Sequence, residues 1–240
     1  MKKVLFIMFT ILFISSNCFA EKQEWHDKNF DFKKASKVLI EFYFLPPRNG
    51  ISENETEDIF FEKMSDIYKD LKQQNYKFYV AYNIADMIKE KHNIDIIELY
   101  KTNPSNADEL YRSFVKDNMD LVIRTEVMAY DIGSQYYEGY YLTLPSVDTS
   151  FVTTPYGSGT VTTYGTKQQY IRGGNVPVSY CSVRFTNYEM KTGNAVWSLI
   201  DDRAKANQTI FDNTKPKDLY KRIISNFVNK LKEKLDRTQT

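Results

Sequence analysis

Apolar residues recur along this chain with two periods, and the periods place the elements. Lys37–Leu45 (KVLIEFYFL) is almost continuously apolar, which predicts a central strand buried on both faces. Pro46-Pro47-Arg48-Asn49-Gly50 ends it. Phe60, Met64, Ile67, Tyr68 and Leu71 then follow at helical spacing and mark one face of a helix. Ser52-Glu53-Asn54-Glu55, just upstream, has the spacing of a capping box. Tyr76–Ala81 (YKFYVA) predicts a second strand. Ile84, Met87 and Ile88 predict a short helix, and Ala107–Val115 another with Ser105 as its cap. Asp120–Tyr130 and Val178–Met190 read as strands, the second with Cys181, Val183 and Phe185 on one face. Lys191-Thr192-Gly193-Asn194 predicts a tight turn, with Ala195–Asp202 returning beside the strand before it. Leu219, Ile223, Phe227, Val228, Leu231 and Leu235 line a final helix, for which Thr214 is the expected cap and Pro216 suits the first turn.

The order strand, helix, strand, helices, strand, insertion, hairpin, helix predicts an α/β (α+β) fold, a mixed β-sheet with helices packed on it. One domain over 37–235 accounts for these elements. Residues 21–36 are expected to be an extended N-terminal arm anchored by Trp25, Phe30 and Phe32, and 236–240 a tail.

The insertion over 131–177 differs in character from the rest. Ten of the eighteen tyrosines lie between Tyr130 and Tyr188. Val152-Thr153-Thr154-Pro155-Tyr156-Gly157 is echoed by Val161-Thr162-Thr163-Tyr164-Gly165, with Gly157-Ser158-Gly159 between the echoes. Thr, Val and Tyr suit a pleated, half-exposed surface, so a β-ribbon turning at the glycines is expected. Long insertions of this kind are often functional. Tyr137, Tyr141, Tyr156 and Tyr164 are the candidate partner or glycan contacts, because tyrosine offers both a ring to stack and a hydroxyl to hydrogen-bond. The alternative is a hairpin that only covers a sheet edge.

The first twenty residues read as a signal peptide. Lys2 and Lys3 precede an apolar run from Val4 to Ile14, and Cys18-Phe19-Ala20 places small residues at a cleavage site after Ala20. The run is shorter than the roughly 20 residues a membrane helix needs. Lipidation at Cys18 is the competing reading, although Ser15-Ser16-Asn17 departs from a lipoprotein signal. Either way the protein is expected to be exported, to the periplasm or the cell surface. Loss of residues 1–20 removes Lys2 and Lys3 and takes the formal charge from +1 to −1. It also leaves Cys181 as the one cysteine, so no internal disulfide can form, and its alternating context predicts a buried thiol.

Composition narrows the function further. Lys+Arg (32) balances Asp+Glu (31), so no basic field points to nucleic acid. The mean hydropathy of -0.50 excludes a polytopic membrane protein, and a 15% aromatic share argues against disorder. His26 and His92 sit far apart in no metal-ligand spacing. Gly157-Ser158-Gly159 is not a nucleophile elbow, and no glycine-rich phosphate loop precedes a helix. Asp201 and Asp202 point to opposite faces of a strand and cannot act together on one substrate; with Arg203 they are expected to form a surface charge cluster. No catalytic residue, cofactor or metal is therefore expected. The basic C-terminal helix, with Lys or Arg at 215, 217, 221, 222, 230, 232, 234 and 237, is either a solvated polar face or a site of peripheral association with anionic lipid or an acidic partner.

One motif carries a family resemblance. Phe185-Thr186-Asn187-Tyr188-Glu189-Met190-Lys191-Thr192-Gly193-Asn194-Ala195-Val196-Trp197-Ser198 is similar to the Lys-Thr-Gly, Val-Trp-Ser hairpin of bacterial envelope lipoproteins, namely the curli-secretion-channel lipoprotein and the penicillin-binding-protein activators. The following helix, Leu219 to Leu235, fits the same arrangement. The resemblance implies a scaffold without nucleotide or metal that binds another envelope protein and is usually lipidated. Three functions follow as expectations: a non-enzymatic exported envelope protein working through protein contact, a subunit of an oligomeric outer-membrane assembly, or a glycan- or peptidoglycan-binding module.

Overall fold

The computed structural model describes residues 18–47, 51–154, 157–207 and 213–238. Its main sheet has six strands in the order β1-β8-β7-β4-β2-β3: β1 Cys18–His26, β2 Lys37–Phe44, β3 Lys77–Val80, β4 Leu121–Tyr137, β7 Gly174–Glu189 and β8 Ala195–Ala206. A second sheet pairs β5 Tyr140–Thr154 with β6 Gly157–Ile171. The helices are α1 Ile51–Lys72, α2 Ala81–His92, α3 Ile96–Thr102, α4 Pro104–Asn118 and α5 Pro216–Leu235, with a 3-10 turn at Phe32–Lys34. The fold is α+β, as the pattern predicts.

β2 is parallel to both β3 and β4, and the other pairings in the main sheet are antiparallel. Alternation along β2 and β4 divides their side chains between two cores. Val38, Ile40, Leu121, Ile123 and Val127 pack with Phe60, Met64 and Ile67 of α1 and with Ile223, Phe227 and Leu231 of α5. Leu39 and Val122 face the other way, toward Ile84 and Ile88 of α2, Ile96 of α3, and Phe114 and Val115 of α4. Thus β2 is buried on both faces because helices cover both. The predicted hairpin forms between β7 and β8, with Gly193 at φ +75 inside its turn, a conformation glycine adopts without strain. Phe185 stacks on Phe227 at 3.8 Å between ring centroids, and Trp197 stacks on the same ring at 5.5 Å.

Several local expectations are corrected. Residues 18–26 are the sheet's edge strand, paired with β8 from Cys18↔Lys205 to His26↔Trp197. Their polarity reflects an exposed edge. Trp25 is exposed and anchors nothing, whereas Phe32 is buried and Phe30 packs against it edge-on. Cleavage after Ala20 would remove the first three β1 pairs. Ser52 lies inside α1, because Ile51 is already helical. Asn103, and not Ser105, caps α4, its side chain accepting from Asn106 N. Lys215 stands at the start of α5, and the Thr214 carbonyl instead accepts from Ser179 Oγ and Asn207 Nδ2. Asp201 is not at the surface. It is fully buried and held by Arg203 Nε and Nη2, both at 2.8 Å.

Candidate functional site

The insertion is two ladders in series. β4 and β7 continue their pairing out to Tyr137↔Gly174, and β5 and β6 then pair from Tyr140↔Ile171 to Thr154↔Gly157. Gly157-Ser158-Gly159 is the start of β6, not the turn. At the junction, a Cβ on Gly173 would lie 2.6 Å from both Gly139 N and the Tyr137 carbonyl oxygen, so the two chains pass too closely there for any side chain. Among the described residues, every substantial contact of β5 and β6 is with each other, and neither packs beneath a helix.

The four predicted tyrosines do not assemble into one site. Tyr137 is half-buried, with its hydroxyl donating to Gln135 Oε1 at 3.3 Å. Tyr141 is 69% exposed and meets Tyr170, which the sequence did not single out, at 5.0 Å between ring centroids. Tyr156 and the side chain of Tyr164 lie outside the described residues, as do residues 1–17 and the side chain of Cys18. The Cys181 thiol is buried, and burial pushes its pKa well up, so it is an inert core group.

A second site was not legible in the sequence. β3 stops at Val80, opposite Ile40, while β2 runs on to Phe44. β2 is therefore left without a strand neighbour on one side from Glu41 onward. Beyond β2 the chain enters α1 on one face of the sheet; beyond β3 it enters α2 on the other. Connections that part to opposite faces open a crevice at the carboxyl ends of adjacent parallel strands. Here it encloses about 570 Å³ between β2, the first turn of α2, and α3.

The chemistry of that crevice is set by a few groups. Tyr43, Tyr82 and Tyr100 are exposed at its mouth, Tyr111 lies deeper, and Phe42 and Phe61 complete an aromatic wall. Glu41 is 7% exposed. Its Oε2 accepts from Arg124 Nε at 3.0 Å and Nη2 at 2.9 Å, across the β2–β4 register. The guanidinium lies 5.4 Å from the ring centroids of both Tyr43 and Tyr188. Burial first, and then the Glu41 charge, push the Tyr43 and Tyr111 hydroxyls above their ordinary range. Tyr100 is pushed up to about 12 by desolvation and by donating to Asp108 Oδ1 at 2.6 Å. A second cavity of about 360 Å³, on the far side of the Glu41–Arg124 pair, is lined in part by Tyr111, Tyr188 and Met190. The sequence signal was a single glutamate inside an otherwise apolar strand, facing an arginine in the next one.

Among the described residues no three His, Cys, Asp or Glu side chains converge as a metal site, and no helix is long and apolar enough to cross a membrane.

No protein-family model matches the chain, and no curated protein matches it in sequence. Solved structures of bacterial proteins do resemble it at low similarity. The PelC dodecamer from Paraburkholderia phytofirmans aligns over 89% of this chain and 98% of its own, at 11% identity and a TM-score of 0.42. A lipoprotein from Neisseria meningitidis aligns over 82% of this chain and 99% of its own, at 13% identity and a TM-score of 0.36. A neuraminyllactose-binding hemagglutinin homolog from Helicobacter pylori aligns over 86% of each chain, at 12% identity and a TM-score of 0.38. At these values the likeness is one of general architecture and assigns the chain to no family.

Proposed function

We propose that this chain is a non-enzymatic, exported cell-envelope protein that acts through protein–protein contact, with the β5–β6 ribbon as its principal contact surface. The observation that carries the reading is the ribbon's isolation: fifteen paired positions on each strand, with no layer packed on either face among the described residues. A two-stranded ribbon is marginal in water unless something covers it. Ile132, Tyr136, Tyr141 and Tyr170, on and beside the ribbon, are all more than half exposed. Exposed tyrosines of this kind are enriched where proteins meet, because a large rigid ring is buried at low entropic cost. The leader at residues 1–20 supplies the export.

The test is affinity capture from the native envelope with the full chain and with a chain lacking residues 143–172. The shortened chain is expected to keep a cooperative thermal unfolding transition and lose the captured partner. Recovery of the same partner by both chains would overturn the ribbon's role, and a robust hydrolytic activity in the purified protein would overturn the non-enzymatic reading. A glycan-binding reading is favoured by one observation, the exposed Tyr141–Tyr170 pair. Co-sedimentation with peptidoglycan that disappears in Tyr141→Ala would establish it.

A further inference from the structure

We propose that the crevice beside β2 is a binding site for a small organic cation, an ammonium group carried on an apolar or aromatic body. It lies outside the ribbon and does not depend on the ribbon's role.

The lining fixes the sign of the charge. Glu57 at the rim supplies the net charge, since Glu41 at the floor is neutralised by Arg124, and no Lys, Arg or His is among the described lining residues. Arg124 stands behind Glu41, and its guanidinium is spent on Oε2 and on the faces of two tyrosines, so it is not presented to a ligand. Glu57 is exposed and has no ion-pair partner among the described residues. One feature opposes a cation: the first turn of α2 (Val80–Asn83) borders the crevice and carries about half a positive charge. It is the weaker influence. Val80 N already donates to Asn83 Oδ1 at 2.9 Å, and the full charge of Glu57 outweighs half a charge. The start of α3 is neutralised by Asp95, whose Oδ1 accepts from Ile97 N and Glu98 N.

The walls fix the kind of cation. A hydrated metal ion gains little from an apolar aromatic surface, whereas an organic ammonium is drawn to the negative faces of aromatic rings. Tyr82 and Tyr100 present such rings at the mouth, with Ile97 beside them as apolar surface for the ligand's body. The volume, about 570 Å³, falls within the range of small-molecule sites. The Tyr100 hydroxyl is engaged outside the crevice, donating to Asp108. An anionic ligand would meet the Glu57 carboxylate and no cationic side chain among the described lining residues.

The experiment titrates the full mature chain with benzyltrimethylammonium, and with phenylmethanesulfonate as the anion of similar shape, by ligand-observed NMR. Saturable binding of the ammonium is expected, with no saturable binding of the sulfonate. Tyr82→Ala and Glu57→Gln change exposed positions and should leave the fold intact. Each is expected to weaken the ammonium about two- to fivefold, the size of an exposed cation–π or ion-pair contribution, and the Glu57 effect should shrink at high salt. Equal binding of both probes, no saturable binding of the ammonium, or an affinity unmoved by either substitution would overturn the proposal. The chain lacking residues 143–172 is expected to bind the ammonium as the full chain does, so failure here and failure of the ribbon reading are read separately.

Discussion

Breaking the Glu41–Arg124 pair from its two sides should have unequal costs. The Glu41 side chain is 7% exposed and that of Arg124 is 38% exposed. Arg124→Met leaves a carboxylate inside the sheet with no counter-ion, and removing one partner of a buried pair costs about 3–5 kcal/mol. Glu41→Gln leaves a guanidinium that can turn to water and still lie between Tyr43 and Tyr188, each ring contributing about 0.5–1 kcal/mol. That loss should be about 1–2 kcal/mol, the size of a hydrogen bond to a charged group. Combining Glu41→Gln with Arg124→Met removes the uncompensated charge altogether, so the double variant should be more stable than Arg124→Met alone, with a coupling of about 2 kcal/mol or more. Urea denaturation of the four proteins closes the cycle. In thermal melts the Arg124→Met loss corresponds to a fall in Tm of about 6–20 °C for a chain of this size. If Arg124→Met costs no more than Glu41→Gln, the carboxylate is not buried in solution, and the Glu41–Arg124 pair does not form the floor of the crevice.

Two further predictions concern the packing that holds the site. Phe227 is fully buried and stacks on both Phe185 and Trp197, so Phe227→Ala should cost about 3–5 kcal/mol in urea, whereas Tyr141→Ala should change stability by less than about 0.5 kcal/mol. Glu55 is held below its ordinary pKa, chiefly by Lys217 Nζ at 2.7 Å and by the Tyr130 hydroxyl at 2.6 Å. A depressed folded value stabilises the protein above the unfolded pKa, and that stabilisation is lost as pH falls through the folded one. Stability measured from pH 6 to pH 3 should therefore decline less steeply in Glu55→Gln, and an unchanged acid limb would show that the contact does not form in solution.

The apolar pattern alone determined much of the fold. A continuous run gives a doubly buried strand, and β2 is one. Helical spacing gives a buried stripe, and all six apolar positions named for α5 are buried. Period-two alternation put Cys181, Val183 and Phe185 on the core face. These succeed because burial is periodic in the local backbone, and periodicity can be read without knowing the neighbours. Caps were read less well. Ser52, Ser105 and Thr214 are all good capping residues displaced by a residue or two, since where a helix starts depends on what it packs against. α3 leaves no periodic signal in the sequence, because it is short and one of its isoleucines, Ile97, is half exposed. The edge strand β1 looked like a polar arm because an edge exposed to water has no need of alternation.

What only the tertiary structure decided is where unlike segments meet. Asp201, charged and beside Asp202 and Arg203, reads as surface until the β7–β8 register turns it toward α5 and Arg203 closes on it. The crevice depends on three facts that no window of sequence contains: β3 ends one residue short of Glu41 in the register, α1 and α2 leave to opposite faces, and Arg124 arrives from β4, 83 residues away, to neutralise the floor. Sequence spacing encodes which side of its own element a residue occupies. It does not encode which other element is brought to that side, because that is set by the packing of the whole sheet.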